Sequence, residues 1–218
     1  MRKTSILLTS LLLMIILLGY QLYSSTQSHT PETGNSCSVL LIIEHRDCEG
    51  NLLERRVKNG DLILENFGRL WLAIMRGGAE YKGIFSLRDT TGDWHYPFYK
   101  GITQDTKIAL DEEKSYIVLG SGTASATLED YQMANQIMEA QVGSIGVSVI
   151  GNKVNATIST TFTFDASYTI REIGLKGKIN SYSYGSYAFF VCRDDISSNP
   201  ITVENGDILT VTYVFMLN

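Results

Sequence analysis

The chain has 218 residues, of which 44% are hydrophobic and 19% are charged, with only 3 prolines. This composition suits one globular domain with short accessory segments. The net charge of −5 excludes the basic surface that nucleic-acid binding requires, and it gives no support to attraction by anionic lipid.

Residues 1–25 have the layout of an export signal. Arg2 and Lys3 precede an apolar run over residues 6–18, and two serines follow at 24–25. A cleaved signal peptide has this order, whereas extension over residues 4–23 reaches the roughly 20 residues that span a bilayer. A removed signal and a retained membrane anchor both stay open. In either case we expect the remainder to be extracellular or at the cell surface, with membrane contact only through this segment.

Residues 26–36 contain no large apolar side chain and predict a polar linker. Residues 37–218 then form the predicted single β-domain, beginning with a hairpin of strands at 37–45 and 52–57. The first of these strands is apolar on both faces, which is typical of a strand buried on two sides. It belongs either to the core of its own domain or to the open sheet edge of a neighbouring copy. The candidate assembly strand comprises Val39, Leu40, Leu41, Ile42 and Ile43.

One helix is predicted, over residues 62–75. Asp61 stands at the N-cap position, and glycines at 77 and 78 end the helix. Apolar residues recur every three or four positions, which predicts a helix packed against the sheets. The members of this stripe are Ile63, Phe67, Leu70, Trp71 and Ile74.

An aromatic cluster follows at residues 94–99. It lies in the second of two predicted strands, at 81–88 and 94–100, which flank residues 89–93. Aromatic residues concentrate at protein interfaces, so an exposed cluster predicts a contact surface, whereas a buried one would be a corner of the core. Both interpretations stay open. The candidate contact aromatics are Trp94, Tyr96, Phe98 and Tyr99.

The second half of the chain predicts a series of strands. Residues 155–164 alternate apolar side chains with threonine and serine, which is the period of a half-buried strand. Further strands are predicted at 116–119, 136–142, 144–150, 168–175, 186–193 and 206–217, with a short helical turn at 128–134. The predicted fold class is mainly β: an antiparallel β-sandwich, jelly-roll or immunoglobulin-like, with one packed α-helix, preceded by the N-terminal hydrophobic signal or anchor helix.

The order of these segments resembles a known family. Residues 118–131 read V-L-G-S-G-T-A-S-A-T-L-E-D-Y, residues 170–175 read I-R-E-I-G-L, and 190–194 and 201–213 complete the pattern. This succession is similar to the C-terminal β-domain of phage and archaeal-virus tail-fibre, collar and head-fibre-like structural proteins, over about residues 115–218. With its signal-like N-terminus the chain also resembles archaeal surface filament subunits. The resemblance implies an assembly role, in which sandwich domains donate an N-terminal strand to the next subunit.

No motif predicts an enzyme, a cofactor or a metal. The three histidines are far apart, and no zinc-ligand spacing or phosphate loop is present. The adjacent acids Asp194 and Asp195 would point to opposite faces of a strand, whereas paired catalytic carboxylates converge on one bond. Asp89 and Asp93 flank Gly92, but the ligand spacing of a calcium loop is missing.

Two covalent modifications stay open. Cys37 and Cys48 end a strand of about eight residues at roughly 3.3 Å each, too far apart for a direct bridge. Cys192 paired with either of them, three separate thiols, and a bridge between subunits all remain candidates. Asn155 begins the N-x-S/T sequon, which makes it a candidate glycosylation site in an exported protein.

The sequence therefore predicts a non-enzymatic structural subunit of an extracellular filament or virion-type appendage. Its partners would be further copies of itself or other structural subunits, joined by β-strand complementation. The alternative is a membrane-anchored surface binding module, or adhesin, that uses the aromatics of residues 94–99.

Overall fold

The described part of the chain is mainly β. The computed structural model describes residues 37–60, 62–75, 86–95, 107–109, 115–151, 153–181 and 185–217. All strand pairs in this part are antiparallel, and it contains one short helix. This confirms the coarse prediction of an antiparallel, mainly β fold with one helix. The predicted export segment 1–25 and linker 26–36 lie outside the described residues.

The elements are named in chain order. The helix is α1 (Glu65–Met75). The strands are β1 (Cys37–Arg46), β2 (Leu52–Asn59), β3 (Leu62–Ile63), β4 (Leu87–Arg88), β5 (Trp94–His95), β6 (Lys107–Ala109), β7 (Tyr116–Gly120), β8 (Gln136–Gln141), β9 (Ser144–Ile150), β10 (Lys153–Thr163), β11 (Tyr168–Ile170), β12 (Glu172–Ser181), β13 (Gly185–Asp195), β14 (Ile201–Val203) and β15 (Ile208–Leu217).

Five strands form the first large sheet, in the order β2-β1-β15-β10-β9. The first and last strands of the described chain are neighbours, because β1 pairs with β15 over ten residues, from Cys37 opposite Leu217 to Arg46 opposite Ile208. The alternating pattern of residues 155–164 has the expected result in β10, where Ile158 and Phe162 are buried and Thr161 and Thr163 are exposed. Hydrophobic periodicity thus sets which face of the sheet turns inward.

The second large sheet has the order β3-β13-β12-β7-β8, and β6 also pairs with β12. The chain passes between the large sheets at both lateral ends. Only residues 142–143 separate β8 from β9, and residues 60–61 separate β2 from β3. The edge strands are therefore β2 and β9 in the first sheet and β3 and β8 in the second sheet.

Both large sheets contribute to one hydrophobic core. Leu41, Ile43, Val211 and Tyr213 come from the first sheet, and they belong to the same buried cluster as residues of β7, β12 and β13. A second, smaller cluster lies on the other face of the second sheet and contains Leu64, Val118, Met133 and Phe190. The second sheet is therefore buried on both faces, because the 121–135 loop covers its outer side.

Helix α1 begins three residues later than predicted. Residues 62–63 instead form β3, paired with Cys192 and Arg193, and the Leu64 N–H donates to the Val191 carbonyl at 2.9 Å. These main-chain bonds hold residues 62–64 in extended conformation, so the Asp61 cap prediction is wrong. The predicted packing of the helix is seen at Leu70, which is buried, and at Phe67, which stacks on Phe215 with 5.9 Å between ring centroids.

Three other boundaries differ from the prediction. The predicted strand at 168–175 is divided into β11 and β12 at Arg171, whose N–H donates to the Gly120 carbonyl and whose carbonyl accepts from Ile196. The predicted strand at 206–217 begins at Ile208, since Gly206 has φ +88° and belongs to a turn. In place of a helical turn at 128–134, the chain makes a turn in which the Asp130 N–H donates to the Thr127 carbonyl.

Candidate functional site: buried polar clusters and sheet edges

A buried ionic network lies on the outer face of the second large sheet. Glu172 in β12 is 1% exposed and Arg193 in β13 is 3% exposed. The Arg193 Nε and one terminal nitrogen donate to Glu172 Oε2 at 3.0 and 2.8 Å. The other terminal nitrogen of Arg193 pairs with the Asp130 carboxylate, and Arg193 also donates to the Ala124 carbonyl. One guanidinium thus joins two strands to the loop at 121–135.

The Glu172 carboxylate also holds the loop backbone. It accepts the N–H groups of Gly122 at 2.9 Å, Ala134 at 3.1 Å and Asn135 at 2.8 Å. Five donors therefore converge on two oxygens, and this satisfies a buried charge that would otherwise be costly. Because both oxygens are fully engaged, the carboxylate is suited to holding the loop and not to proton transfer.

Glycines make room for this carboxylate. A Cβ added to Gly120 would lie 2.5 Å from Glu172 Oε1, and one added to Gly122 would overlap the same oxygen and lie 2.5 Å from the Ala134 Cβ. A Cβ on Gly174 would lie 2.7 Å from the Phe190 ring. Gly120 and Gly122 of segment 118–131 and Glu172 of segment 170–175 therefore meet in one place, where Arg193 of segment 190–194 joins them. The glycines in these segments are therefore explained by packing, because a side chain at their positions would overlap Glu172 or Phe190.

Asp130 completes the network at the surface. Burial raises the pKa of this carboxyl, but hydrogen bonds from the Thr127 N–H and hydroxyl and from Arg193 outweigh burial, so its pKa lies below the ordinary value. Asp130 is therefore ionised at neutral pH and keeps the Arg193 charge compensated.

A second polar cluster is buried between the large sheets. The Tyr213 hydroxyl of β15 donates to Asp194 Oδ2 of β13 at 2.8 Å, and both residues are fully buried. Burial, followed by the Asp194 charge, raises the pKa of Tyr213 and of the neighbouring Cys192 thiol. The Cys192 thiol is thus protonated and unreactive. Asp195 lies on the opposite face and accepts the Ser197 N–H at 2.8 Å.

A histidine–aspartate pair connects the end of β1 to the residue that precedes β15. His45 Nε2 of β1 lies 2.8 Å from Asp207 Oδ2, and the same oxygen accepts the Glu204 N–H at 2.9 Å. The Glu204 hydrogen bond first, and the His45 bond second, lower the Asp207 pKa, which keeps this carboxylate ionised. The pair fixes the start of β15 against the end of β1.

The aromatic segment is described only at its beginning. Trp94 is 48% exposed, and the Arg69 and Arg88 guanidinium carbons lie 4.7 and 5.9 Å from its ring centroid. His95 stacks on Tyr187 at 4.3 Å, and its Nε2 lies 2.8 Å from Asp89 Oδ2. The other candidate contact aromatics, Tyr96, Phe98 and Tyr99, lie outside the described residues.

The acidic loop at 89–93 is closed by its own hydrogen bonds. Asp89 Oδ1 accepts the Thr91 N–H, the Thr91 hydroxyl and the Asp93 N–H at 2.7–2.9 Å. Burial raises the Asp89 pKa, but these bonds and the His95 contact lower it more. Within the described ranges, no group of three or more histidine, cysteine, aspartate or glutamate side chains has a metal-binding arrangement.

The candidate assembly strand lies inside the first sheet. Val39, Leu41 and Ile43 are buried in the core, and Leu40 and Ile42 are half-buried on the outer face. Within the chain, β1 pairs with β15 on one side and with β2 on the other. Exchange of this strand between copies stays a prediction.

The two edge strands of the first sheet differ in charge. β2 reads L-L-E-R-R-V-K-N and has four charged residues, which is a common protection against edge-to-edge pairing. β9 reads S-I-G-V-S-V-I and has no charged residue and no proline. Its Val147 and Val149 are 72% and 69% exposed. Sequence reasoning predicted the bounds of β9 but not its place at an edge, because strand order depends on distant pairing.

The cysteines and the candidate glycosylation site Asn155 differ in their exposure to solvent. Cys48 is exposed and Cys192 is buried, and both are free thiols. An intramolecular bridge through Cys192 is therefore absent from this structure, and the exposed Cys48 keeps a bridge between subunits open. Asn155 is half-buried near the start of β10, opposite Met216 and Ser148. Its glycosylation stays a prediction.

Comparison with protein-family models, with curated proteins and with solved structures finds no match for this chain. Across the part of the chain that the structure describes, no helix has both the length and the apolarity needed to cross a membrane.

Proposed function

We propose that this protein is a non-enzymatic structural subunit of an extracellular filament or virion-type appendage, and that its copies join by β-strand complementation. The two large sheets would form a β-sandwich of jelly-roll or immunoglobulin-like type. The shared hydrophobic core supports this architecture, since strands of both sheets contribute to a single buried cluster.

The position of β1 is the observation that carries the proposal. It is the first described strand, it pairs with the last strand over ten residues, and it contributes Val39, Leu41 and Ile43 to the core. Removal of β1 would expose the apolar edge of β15. The place of β1 beside β15 must therefore be filled by a strand. A second copy can fill it with the same hydrogen bonds and side chains, which is the physical basis of strand exchange.

The hairpin of β1 and β2 is suited to move as a unit. Its turn is closed by hydrogen bonds from Asn51 and Glu49 to Asp47 Oδ1 and by the Gly50 N–H to the Asp47 carbonyl. Beyond β1, β2 contacts the rest of the chain through side chains: Lys58 donates to the Asp195 carbonyl, and Arg56 donates to the Asn199 carbonyl. Exchange of the hairpin would therefore need the connection between β2 and β3 to open. A chain that passes its hairpin to the next copy forms an open polymer.

The buried polar clusters support a structural role. Glu172, Arg193 and Asp194 are all more than nine-tenths buried. Each is held by hydrogen bonds within the fold. Residues 1–25 would export the chain or anchor it.

Mixed cross-linking tests the exchange. Glu44 of β1 lies opposite Thr210 of β15, and Cα atoms of such pairs are about 4.5–5.5 Å apart, within disulfide range. We would mix full-length Glu44→Cys with Thr210→Cys, each carrying Cys37→Ser and Cys48→Ser, let them assemble and oxidise them. Exchange predicts covalent dimers of the two different variants.

The double variant Glu44→Cys/Thr210→Cys is the matched control. If the strand is exchanged, this variant forms covalent ladders under assembly conditions. If β1 stays in its own chain, oxidation closes only intramolecular bridges, the mixed sample gives no dimer, and strand complementation by β1 is refuted.

One observation favours a second candidate function, a membrane-anchored surface binding module. Trp94 is half exposed between Arg69 and Arg88, and an exposed aromatic side chain beside cations is a typical contact residue. A Trp94→Ala variant that loses attachment to a target surface but keeps the wild-type unfolding temperature would favour this function.

A further inference from the structure

The β9 edge lacks the features that protect other edges in this fold. β3 at one edge of the second sheet has two residues, and β8 at the other has Glu139 paired with Lys176. β2 is highly charged. β9 alone among these four edge strands is long, uncharged and without proline, and such an edge is a template for another strand.

The main-chain groups available at this edge can be identified from the β9–β10 hairpin. Ile150 pairs with Lys153, with two residues between them. The pair next to a two-residue connection is hydrogen-bonded, and such pairs alternate along an antiparallel ladder. Residues 150, 148, 146 and 144 therefore bond to β10. The N–H and C=O groups of Ile145, Val147 and Val149 point away from the sheet.

These same three residues share one side-chain face. Ile145, Val147 and Val149 lie opposite Ile158, Ala156 and Val154 of β10, on the core-facing side of the sheet. Val147 and Val149 remain mostly exposed and Val154 is 37% exposed. The second sheet therefore does not cover Val147 and Val149. An incoming strand would thus meet an apolar row together with main-chain groups that pair with no other strand in the described part of the chain.

The sequence of β9 is complementary to itself. In an antiparallel pair of two copies with a two-fold axis at Val147, Val147 faces the partner's Val147, and Ile145 faces the partner's Val149. All outward-pointing groups are then paired, giving about six main-chain hydrogen bonds. A two-fold axis places residues opposite their symmetry mates, so a charged strand would set like charges close together. The neutral composition of β9 avoids this repulsion.

We propose that β9 is a self-association edge, at which two copies of this chain pair antiparallel about Val147 and extend the five-stranded sheet across the dimer. A strand of seven residues is about 24 Å long. The contact of one strand edge is smaller than the about 1,200 Å² at the lower limit of stable interfaces, so we expect a weak dimer that dissociates on dilution. This inference goes beyond the proposed function, because β9 can pair whether or not β1 is exchanged.

Sedimentation over a concentration series tests the proposal. The full-length protein is kept in a mild detergent because residues 6–18 are apolar, and we expect monomers to convert to dimers as concentration rises. Val147→Lys places two lysines at the axis and should raise the dissociation constant at least about tenfold. The side chain is 72% exposed, so the thermal unfolding temperature should not change.

Val57→Lys is the matched control. Val57 is 51% exposed on β2, the other edge of the same sheet, and its substitution should leave dimerisation unchanged. A wild-type protein that stays monomeric throughout, or equal weakening by both lysines, overturns the proposal. In the first case the β9 edge would be free for a strand of a different protein.

Cysteine cross-linking tests the register. In the Cys37→Ser/Cys48→Ser background, Val147→Cys places two thiols on residues about 5.5 Å apart between Cα atoms, whereas Val149→Cys places them about 14 Å apart. We expect a covalent dimer only from Val147→Cys. Equal cross-linking of both refutes the axis at Val147. Neither result depends on the Glu44–Thr210 cross-link, so failure of β9 pairing and failure of β1 exchange are distinguishable.

Discussion

Replacement of Glu172 by glutamine tests the buried network. The Glu172 carboxylate accepts two backbone N–H groups at Oε1, and one N–H and two Arg193 nitrogens at Oε2. A glutamine has one oxygen and one NH₂ group, so at least two of these donors would face another donor in either orientation. The side chain is 1% exposed, and water cannot replace the lost bonds.

The expected cost is large. Removing one partner of a buried ion pair costs about 3–5 kcal/mol. In a protein of this size 1 kcal/mol lowers the unfolding temperature by about 2–4 °C. We therefore expect Glu172→Gln to lower the unfolding temperature by about 6–20 °C. Amide exchange should also be faster at Gly122, Ala134 and Asn135, whose N–H groups lose their acceptor.

Glu139→Gln is the matched control. Glu139 pairs with Lys176 on the same sheet, but its side chain is 36% exposed, and exposed pairs contribute only about 0–1 kcal/mol. Urea and thermal unfolding of both variants give the comparison. If the two substitutions lower the unfolding free energy equally, within about 1 kcal/mol, the network does not hold the 121–135 loop and the reasoning fails.

Three further predictions follow from local geometry. Gly122→Ala should destabilise the fold by about 1–3 kcal/mol in urea unfolding, because its Cβ would overlap a buried carboxylate. Gly68→Ala, in helix α1 with open space around the added Cβ, should stabilise it by about 0.5–1 kcal/mol, and equal effects of the two would contradict the packing argument. Asp207 has a lowered pKa from its Glu204 and His45 contacts; its contribution is therefore present above about pH 4 and lost as pH falls through the folded pKa. The stability difference between wild type and Asp207→Asn should shrink below about pH 4, and a difference constant with pH would exclude this linkage.

The alternating strands could be predicted from the sequence because their hydrophobic period lies within each strand. In β15 every second residue is apolar, and in β10 the same holds with Thr160 as the exception. The two-residue period decides which side turns inward without knowledge of the partner strand. The helix start was not predictable in this way. Asp61 has the chemistry of a cap, but main-chain bonds from residues 62–64 to β13 keep the chain extended beyond it.

The network around Glu172 needed tertiary information. Glu172 and Arg193 are 21 residues apart, and Glu172 and Gly122 are 50 apart, so no local period connects them. A signal was nevertheless present: Arg193 follows the apolar run 188–192, and Glu172 lies between Ile170 and Ile173, so an ionised side chain at either position would require a partner if buried. The open edge at β9 was also hidden, because the bounds of a strand are local whereas its position in the sheet is set by distant pairing.

Negative-stain electron microscopy of the purified full-length gene product, with intact-mass analysis of the same sample, tests the proposed assembly role most directly. The proposed function predicts regular filaments, with a mature mass beginning near Ser25 if the signal is removed. Monodisperse particles under all assembly conditions would contradict a filament subunit, and the surface binding module would then be the better interpretation.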